Sequence, residues 1–229
     1  MNSNLNNYLD QVCPNPFYNE HGYYQSIQVG HLKCNMSIVV DFSTNNAIIV
    51  DPGGDFQHIK QLIISLGVTV KQILITHAHT DHYTAAGEVS VFTGAPILLH
   101  KDDLHMWNDI LTAYHKDPHM FLTDGLKLDV LDGITISTPG HTSGSCCFYW
   151  KKLNLLCSGD TLFRTSIGRT ENTKMNSLIK KSIREKLYTL PSETKVIPGH
   201  GGPTVIGIEK ITNIFVKENP SRDHYDEDE

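Results

Sequence analysis

The chain has little that would carry it toward nucleic acid, a membrane or a disulfide framework. Lysine and arginine number 19 against 25 aspartates and glutamates, for a net charge of −6, and no basic run occurs. That leaves no phosphate-neutralising surface, so nucleic acid is not an expected partner. No apolar run approaches membrane-spanning length, and no membrane association is expected. The stretch Met1 to Val12 is polar and asparagine-rich, without the basic and apolar regions of a signal peptide. The five cysteines, Cys13, Cys34, Cys146, Cys147 and Cys157, are odd in number and form no C-x-x-C pair. They read as reduced thiols, and the expected location is cytoplasmic.

What remains is ordinary globular composition, 39% hydrophobic and 8% aromatic over 229 residues, enough for one packed domain. The expected organisation is a polar leader over residues 1–24, a domain over 25–220 and a solvated acidic tail over 221–229.

Histidine, by contrast, is abundant, with 13 copies. Three of them fall with one aspartate in Thr76-His77-Ala78-His79-Thr80-Asp81-His82, directly after the apolar run Ile73-Leu74-Ile75. Packing rarely produces such density, because a buried imidazole or carboxylate needs a partner of its own. An apolar strand ending in potential ligands reads as a rigid element presenting a metal site on a loop. In extended chain His77 and His79 project to the same side and can reach one ion. Asp81 and His82 are neighbours that tend to diverge, which suggests a site for two ions.

Three further segments repeat the form of an apolar strand followed by a small-residue turn carrying one ligand. Ile134 to Pro139 leads to Gly140-His141, Leu155 to Gly159 leads to Asp160, and Val196 to Gly199 leads to His200. Glycine beside a ligand lets the backbone turn sharply and approach closely. Each turn alone is weak, but together they bring the candidates to His77, His79, Asp81, His82, His141, Asp160 and His200. Such a nitrogen and oxygen set suits divalent zinc, iron or manganese.

Between the motifs the pattern predicts strands over 26–29, 36–41, 47–51, 72–75, 96–99 and 195–197, and hairpins over 126–137 and 146–157. The first hairpin is expected to turn at Asp132-Gly133. Helical spacing is expected over 58–66, 84–91, 101–114, 175–190 and 206–216, with a surface loop over 165–174. His100, His105, His115 and His119 read as surface histidines.

The ordered set T-H-A-H-T-D-H (76–82), T-P-G-H-T-S-G-S (138–145), S-G-D-T-L-F (158–163), S-I-G-R-T-E (166–171) and I-P-G-H-G-G-P-T (197–204) resembles the metallo-β-lactamase superfamily. Within it the chain is similar to the single-domain glyoxalase II (hydroxyacylglutathione hydrolase)-like branch. The resemblance implies a mixed α/β fold, a four-layer αββα sandwich with the metal site at one edge of the two sheets. It implies two divalent ions, zinc foremost with iron or manganese as alternatives. His77, His79 and His141 would hold one, Asp81, His82 and His200 the other, with Asp160 bridging. Asp81 and Asp160 are the residues expected to serve catalysis directly. The implied reaction is hydrolysis of a small-molecule thioester such as S-lactoylglutathione, through a hydroxide shared by the ions.

The alternative on the same scaffold is a persulfide dioxygenase with one iron on His77, His141 and Asp160. A β-lactamase is disfavoured, since those zinc enzymes usually carry cysteine where Asp160 stands.

Overall fold

In the inner strands, successive residues pack into different layers, and this alternation builds the architecture. The computed structural model describes residues 9, 11, 13–109 and 117–217. Its first sheet comprises β1 (Phe17–Tyr18), β2 (Gly22–Val29), β3 (Cys34–Asp41), β4 (Asn46–Val50), β5 (Thr69–Leu74), β6 (Ile97–His100) and β7 (Met120–Leu122), side by side in that order. The pairing is antiparallel from β1 to β4 and parallel from β4 to β7. The second sheet contains β8 (Ile134–Ser137), β9 (Cys146–Trp150), β10 (Leu155–Gly159), β13 (Lys195–Pro198) and β14 (Thr204–Val205), in the order β14-β13-β10-β9-β8. A small ribbon, β11 (Leu162–Phe163) with β12 (Ser166–Ile167), stands beside it.

On β4, Ala47 and Ile49 face an outer layer formed with Ile59 and Ile63 of α1 (Phe56–Leu66) and with Ala86 and Val89 of α3 (Ala86–Thr93). Ile48 and Val50 of the same strand face inward, against Phe148, Trp150, Leu155 and Cys157 of the second sheet. The reverse face of that sheet, through Cys147, Tyr149, Leu156 and Val196, packs on Ile179, Ile183, Leu187 and Ile206. Those residues belong to α4 (Thr173–Ser182), the π-helical turn Ile183–Leu187 that continues it, and α5 (Ile206–Thr212). The result is the expected αββα sandwich, with three apolar clusters between its four layers, two of helix and two of sheet. No described helix is long and apolar enough to cross a membrane.

Several elements differ from the sequence pattern. The strand expected at 126–131 makes only one isolated bridge, Lys127 with Ile134. Its apolar residues Leu128, Val130 and Leu131 are nevertheless buried between the sheets, so they pattern like a strand without a ladder. The turn lies one residue earlier than expected. Leu131 and Asp132 take the left-handed conformation and Gly133 N donates to Val130 O. Gly133 is needed for space, since a Cβ there would run into the indole of Trp150.

The helix expected over 84–91 is α3, shifted to Ala86–Thr93, and a further short helix, α2 (Thr80–Tyr83), precedes it within the histidine cluster. That expected over 175–190 starts earlier, where the Asn172 side chain caps it by accepting from Met175 N at 3.0 Å. The loop expected over 165–174 contains β12. The helix expected over 101–114 is 3-10 over Lys101–Asp109, and 110–116, His115 among them, lie outside the described residues. The 221–229 tail lies outside them too.

Candidate metal centre

Every ligand candidate sits on a turn, or in the case of Asp81 and His82 on the short helix α2, that follows the C-terminal end of a strand. All these ends meet at one edge of the sandwich. β5 delivers 76–82, β8 delivers His141, β10 delivers Asp160 and β13 delivers His200. Parallel pairing explains part of the convergence, because β10 and β13 lie side by side and run the same way. Their turns are joined by a hydrogen bond from Gly199 N to Gly159 O at 2.8 Å. Asn35 holds the His200 turn from the other side, its amide donating to Pro198 O and Gly201 O, both at 2.9 Å.

The seven residues fall into two groups sharing Asp160. His77 Nε2, His79 Nδ1 and His141 Nε2 lie 2.9 to 3.2 Å from one another. His200 Nε2 lies 3.0 Å from Asp81 Oδ2, and His82 Nε2 lies 3.7 Å from the same oxygen. Asp160 stands between the groups, with Oδ1 at 3.6 Å from His82 Nε2 and Oδ2 at 3.7 Å from His141 Nε2 and 4.0 Å from His200 Nε2.

The outward contacts show which ring nitrogens carry protons. His82 Nδ1 faces Asp51 Oδ2 at 2.8 Å, His141 Nδ1 faces Arg169 O at 2.7 Å, and His200 Nδ1 faces Leu32 O at 3.1 Å. Each of these oxygens can only accept, so each Nδ1 carries a proton. In His141 this leaves Nε2 bare. His82 Nε2 and His200 Nε2 instead face the Asp81 and Asp160 carboxylates, where the metal-free protein can place a second proton and an ion would replace it. His77 Nδ1 donates to Thr76 Oγ1 at 3.1 Å, since that hydroxyl spends its own proton on Asp51 Oδ2 at 2.7 Å. His77 Nε2 and His141 Nε2 are thus two bare nitrogens 3.2 Å apart, with His79 Nδ1 2.9 Å from each. They repel unless a proton or a cation sits among them. Nitrogens about 2 Å from a common ion adopt separations of this order.

Two buried atoms reinforce the fit: His82 Nε2 and Asp160 Oδ1 have no hydrogen-bond partner. Buried polar atoms are seldom left unpaired in a folded protein, and both of these point toward the shared space. The residues fit divalent ions.

The electrostatics follow the same division. Burial, then the neighbouring imidazoles of His82, His141 and His79, hold His77 well below the usual histidine value. Burial and the nearby His141 and His82 lower His79 as well. For His82, burial opposes the charge but the Asp51 carboxylate outweighs it, raising the pKa well above normal. The hydrogen bond to Asp81 raises His200. Burial alone would raise Asp81, yet His200 and His82 bring it down to about 2.

Several supporting residues were not singled out from sequence. Asp51, buried at the end of β4, accepts from Thr76 N, Thr76 Oγ1 and His82 Nδ1. Its signal was an aspartate closing an apolar strand just before Pro52-Gly53-Gly54. Asp103 and Glu209, both fully buried, tie ligand-bearing turns together. Their only sequence signal was a charge on a helical pattern, which normally marks a solvated face. Tyr83 stacks on Trp107 with ring centroids 4.1 Å apart, and its hydroxyl donates to Met106 O and Trp107 O. It anchors the ligand helix to the 3-10 segment.

The profile of the Metallo-beta-lactamase superfamily matches residues 29–200. The chain belongs to that superfamily. The hydroxyacylglutathione hydrolase GloC of Haemophilus influenzae is 32% identical to it over 83% of this chain and 96% of that protein. Among solved structures, BLEG-1 B3 metallo-beta-lactamase superposes with a TM-score of 0.79 at 33% identity, covering 85% of this chain and 100% of that one. TTHA1623 in a di-iron-bound form gives 0.74 at 30% identity, over 83% and 98%. A His/Asp metal centre in this fold makes the chain a member of a metallo-hydrolase superfamily, and a metal-dependent enzyme is the class it points to.

Proposed function

We propose that the chain is a hydrolase with two divalent ions, zinc foremost, that cleaves a small-molecule thioester such as S-lactoylglutathione or a related glutathione conjugate. The observation carrying this reading is the place of Asp160. One of its oxygens faces the three-histidine group and the other faces His82 without a partner, as a carboxylate shared by two ions requires. His77, His79 and His141 would hold one ion and Asp81, His82 and His200 the other. Two ions at this spot supply an activated water and positive charge against a developing oxyanion.

The chain itself does the rest. Buried His77 and His82 fix the floor of the site, while half-buried His79, Asp81 and His200 form its accessible side. Asp81, held ionised far below neutral pH by His200 and His82, keeps negative charge on that side. A thiolate leaves readily without a proton, so no general acid is needed at the leaving group. The name of GloC supports the thioester class, and a second complete ligand group speaks for the hydrolase over a one-iron dioxygenase.

The test is loss of thioester absorbance from S-D-lactoylglutathione, run beside a β-lactam and a glutathione persulfide. Turnover of the thioester that disappears in Asp160→Ala upholds the reading. Preferential β-lactam hydrolysis, or oxygen uptake with the persulfide, would replace it.

A further inference from the structure

Two buried carboxylates outside the ligand set each clasp two ligand-bearing turns, and they divide the site between them. Asp103, on the 3-10 segment, accepts three hydrogen bonds: at Oδ2 from Ala78 N at 3.1 Å and Thr142 Oγ1 at 2.7 Å, and at Oδ1 from Gly144 N at 2.6 Å. Ala78 lies between His77 and His79, and Thr142 follows His141. One carboxylate thus joins the two turns that supply all three clustered nitrogens. Gly144 is glycine for this purpose, since a Cβ there would stand 2.7 Å from Asp103 Cγ.

Glu209 plays the matching part elsewhere. It accepts from Thr204 Oγ1 at 2.6 Å, Thr165 N at 2.9 Å and Asn213 Nδ2 at 2.8 Å, and the same Asn213 amide donates to Ser166 O at 3.0 Å. Thr165 and Ser166 follow Asp160, and Thr204 follows His200. Glu209 therefore joins the Asp160 turn to the His200 turn.

We propose that Asp103 is the positioning residue of the three-histidine half of the centre, setting its ion affinity directly, whereas Glu209 reaches that ion only through the shared Asp160. The inference rests on the two-ion reading above. A carboxylate is needed because all three partners donate. In an Asp103→Asn variant the amide N–H would face either Ala78 N–H or Gly144 N–H, and one turn would be released. Outer-sphere changes of this kind weaken ion binding by roughly 10- to 100-fold.

The experiment uses the Asp81→Asn chain, which lacks a ligand of the other half alone and keeps one zinc in the three-histidine half. Zinc affinity is measured by competition with a chromophoric chelator. Adding Asp103→Asn is expected to weaken that ion by roughly 10- to 100-fold, and adding Glu209→Gln, which acts on it only through Asp160, to weaken it clearly less. Unchanged affinity with Asp103→Asn, or equal weakening with Glu209→Gln, overturns the proposal. Should Asp103→Asn not fold, Thr142→Val deletes one of the three bonds and is expected to weaken the ion in the same direction, no effect counting against the proposal. A wild-type chain that binds one zinc sinks the two-ion reading itself, and the wild-type control shows that separately.

Discussion

Gly199 passes against Asp160 with no room for a side chain. A Cβ at 199 would fall within the Asp160 carboxylate at Oδ1 and stand 2.6 Å from His82 Cε1. Backbone and ligand are in direct contact, so the turn before His200 sets where Asp160 points. Gly199→Ala is expected to push Asp160 off its position and to lower metal content and activity by at least about tenfold. Elemental analysis and activity of the folded variant check this; a variant with full metal content would show that the contact relaxes at little cost.

Asp51 supports the ligands without being counted among them. Removing its side chain in Asp51→Ala takes the carboxylate acceptor from three buried donors, Thr76 N, Thr76 Oγ1 and His82 Nδ1. Only His77 Nδ1 is left beside the hydroxyl, and only the weak acceptor Cys34 Sγ beside the imidazole. With unsatisfied buried donors costing about 1–3 kcal/mol each, the metal-free variant should unfold about 3 kcal/mol more easily or worse. Denaturant titration of the metal-free proteins measures it, and a loss below about 1 kcal/mol would mean that water replaces the carboxylate.

All five cysteines are buried. Burial pushes the thiols of Cys34 and Cys147 up to about 11 and Cys157 up to about 12, and raises Cys146 further. Since the thiolate is the reactive form, the folded protein should react very slowly with a disulfide reagent near neutral pH. In denaturant all five should react at once. Fast reaction of any thiol in the folded protein would contradict this packing.

Burial raises the pKa of Glu209 above its ordinary value of 4.5, against the pull of Thr204, Asn213, the Thr165 amide and nearby Arg164. A carboxyl raised on folding favours the fold while protonated in both states. Its contribution is full below the unfolded pKa and is lost as pH rises through the folded one. The stability advantage of wild type over Glu209→Gln should therefore shrink as pH climbs from about 4 toward neutrality. Denaturation at stepped pH tests the sign, and a widening advantage would mean that the carboxylate is better stabilised than its burial implies.

The ligands were legible because their signal is local: a strand, a small residue and an imidazole occur within a few positions at His77, His141 and His200. The layers were legible too, since strands such as Ala47–Val50 are apolar on both faces. The braces were not. Asp103 looks like the polar side of an amphipathic helix whose Leu104 should face inward, yet the 3-10 backbone buries Asp103 and leaves Leu104 37% exposed. Its partners, Ala78, Thr142 and Gly144, lie 25 to 41 residues away, and no periodicity encodes such a contact. The turn at Leu131-Asp132 escaped for a similar reason, because Gly133 answers to Trp150 across the sheet rather than to its own neighbours.

The most direct test of the account is the number of ions per chain. Purified wild type, loaded with zinc and desalted, should hold two, and Asp160→Asn should hold fewer, having lost the carboxylate that faces both groups. One ion in wild type, or two undiminished in Asp160→Asn, would contradict the shared site from which the proposed chemistry follows.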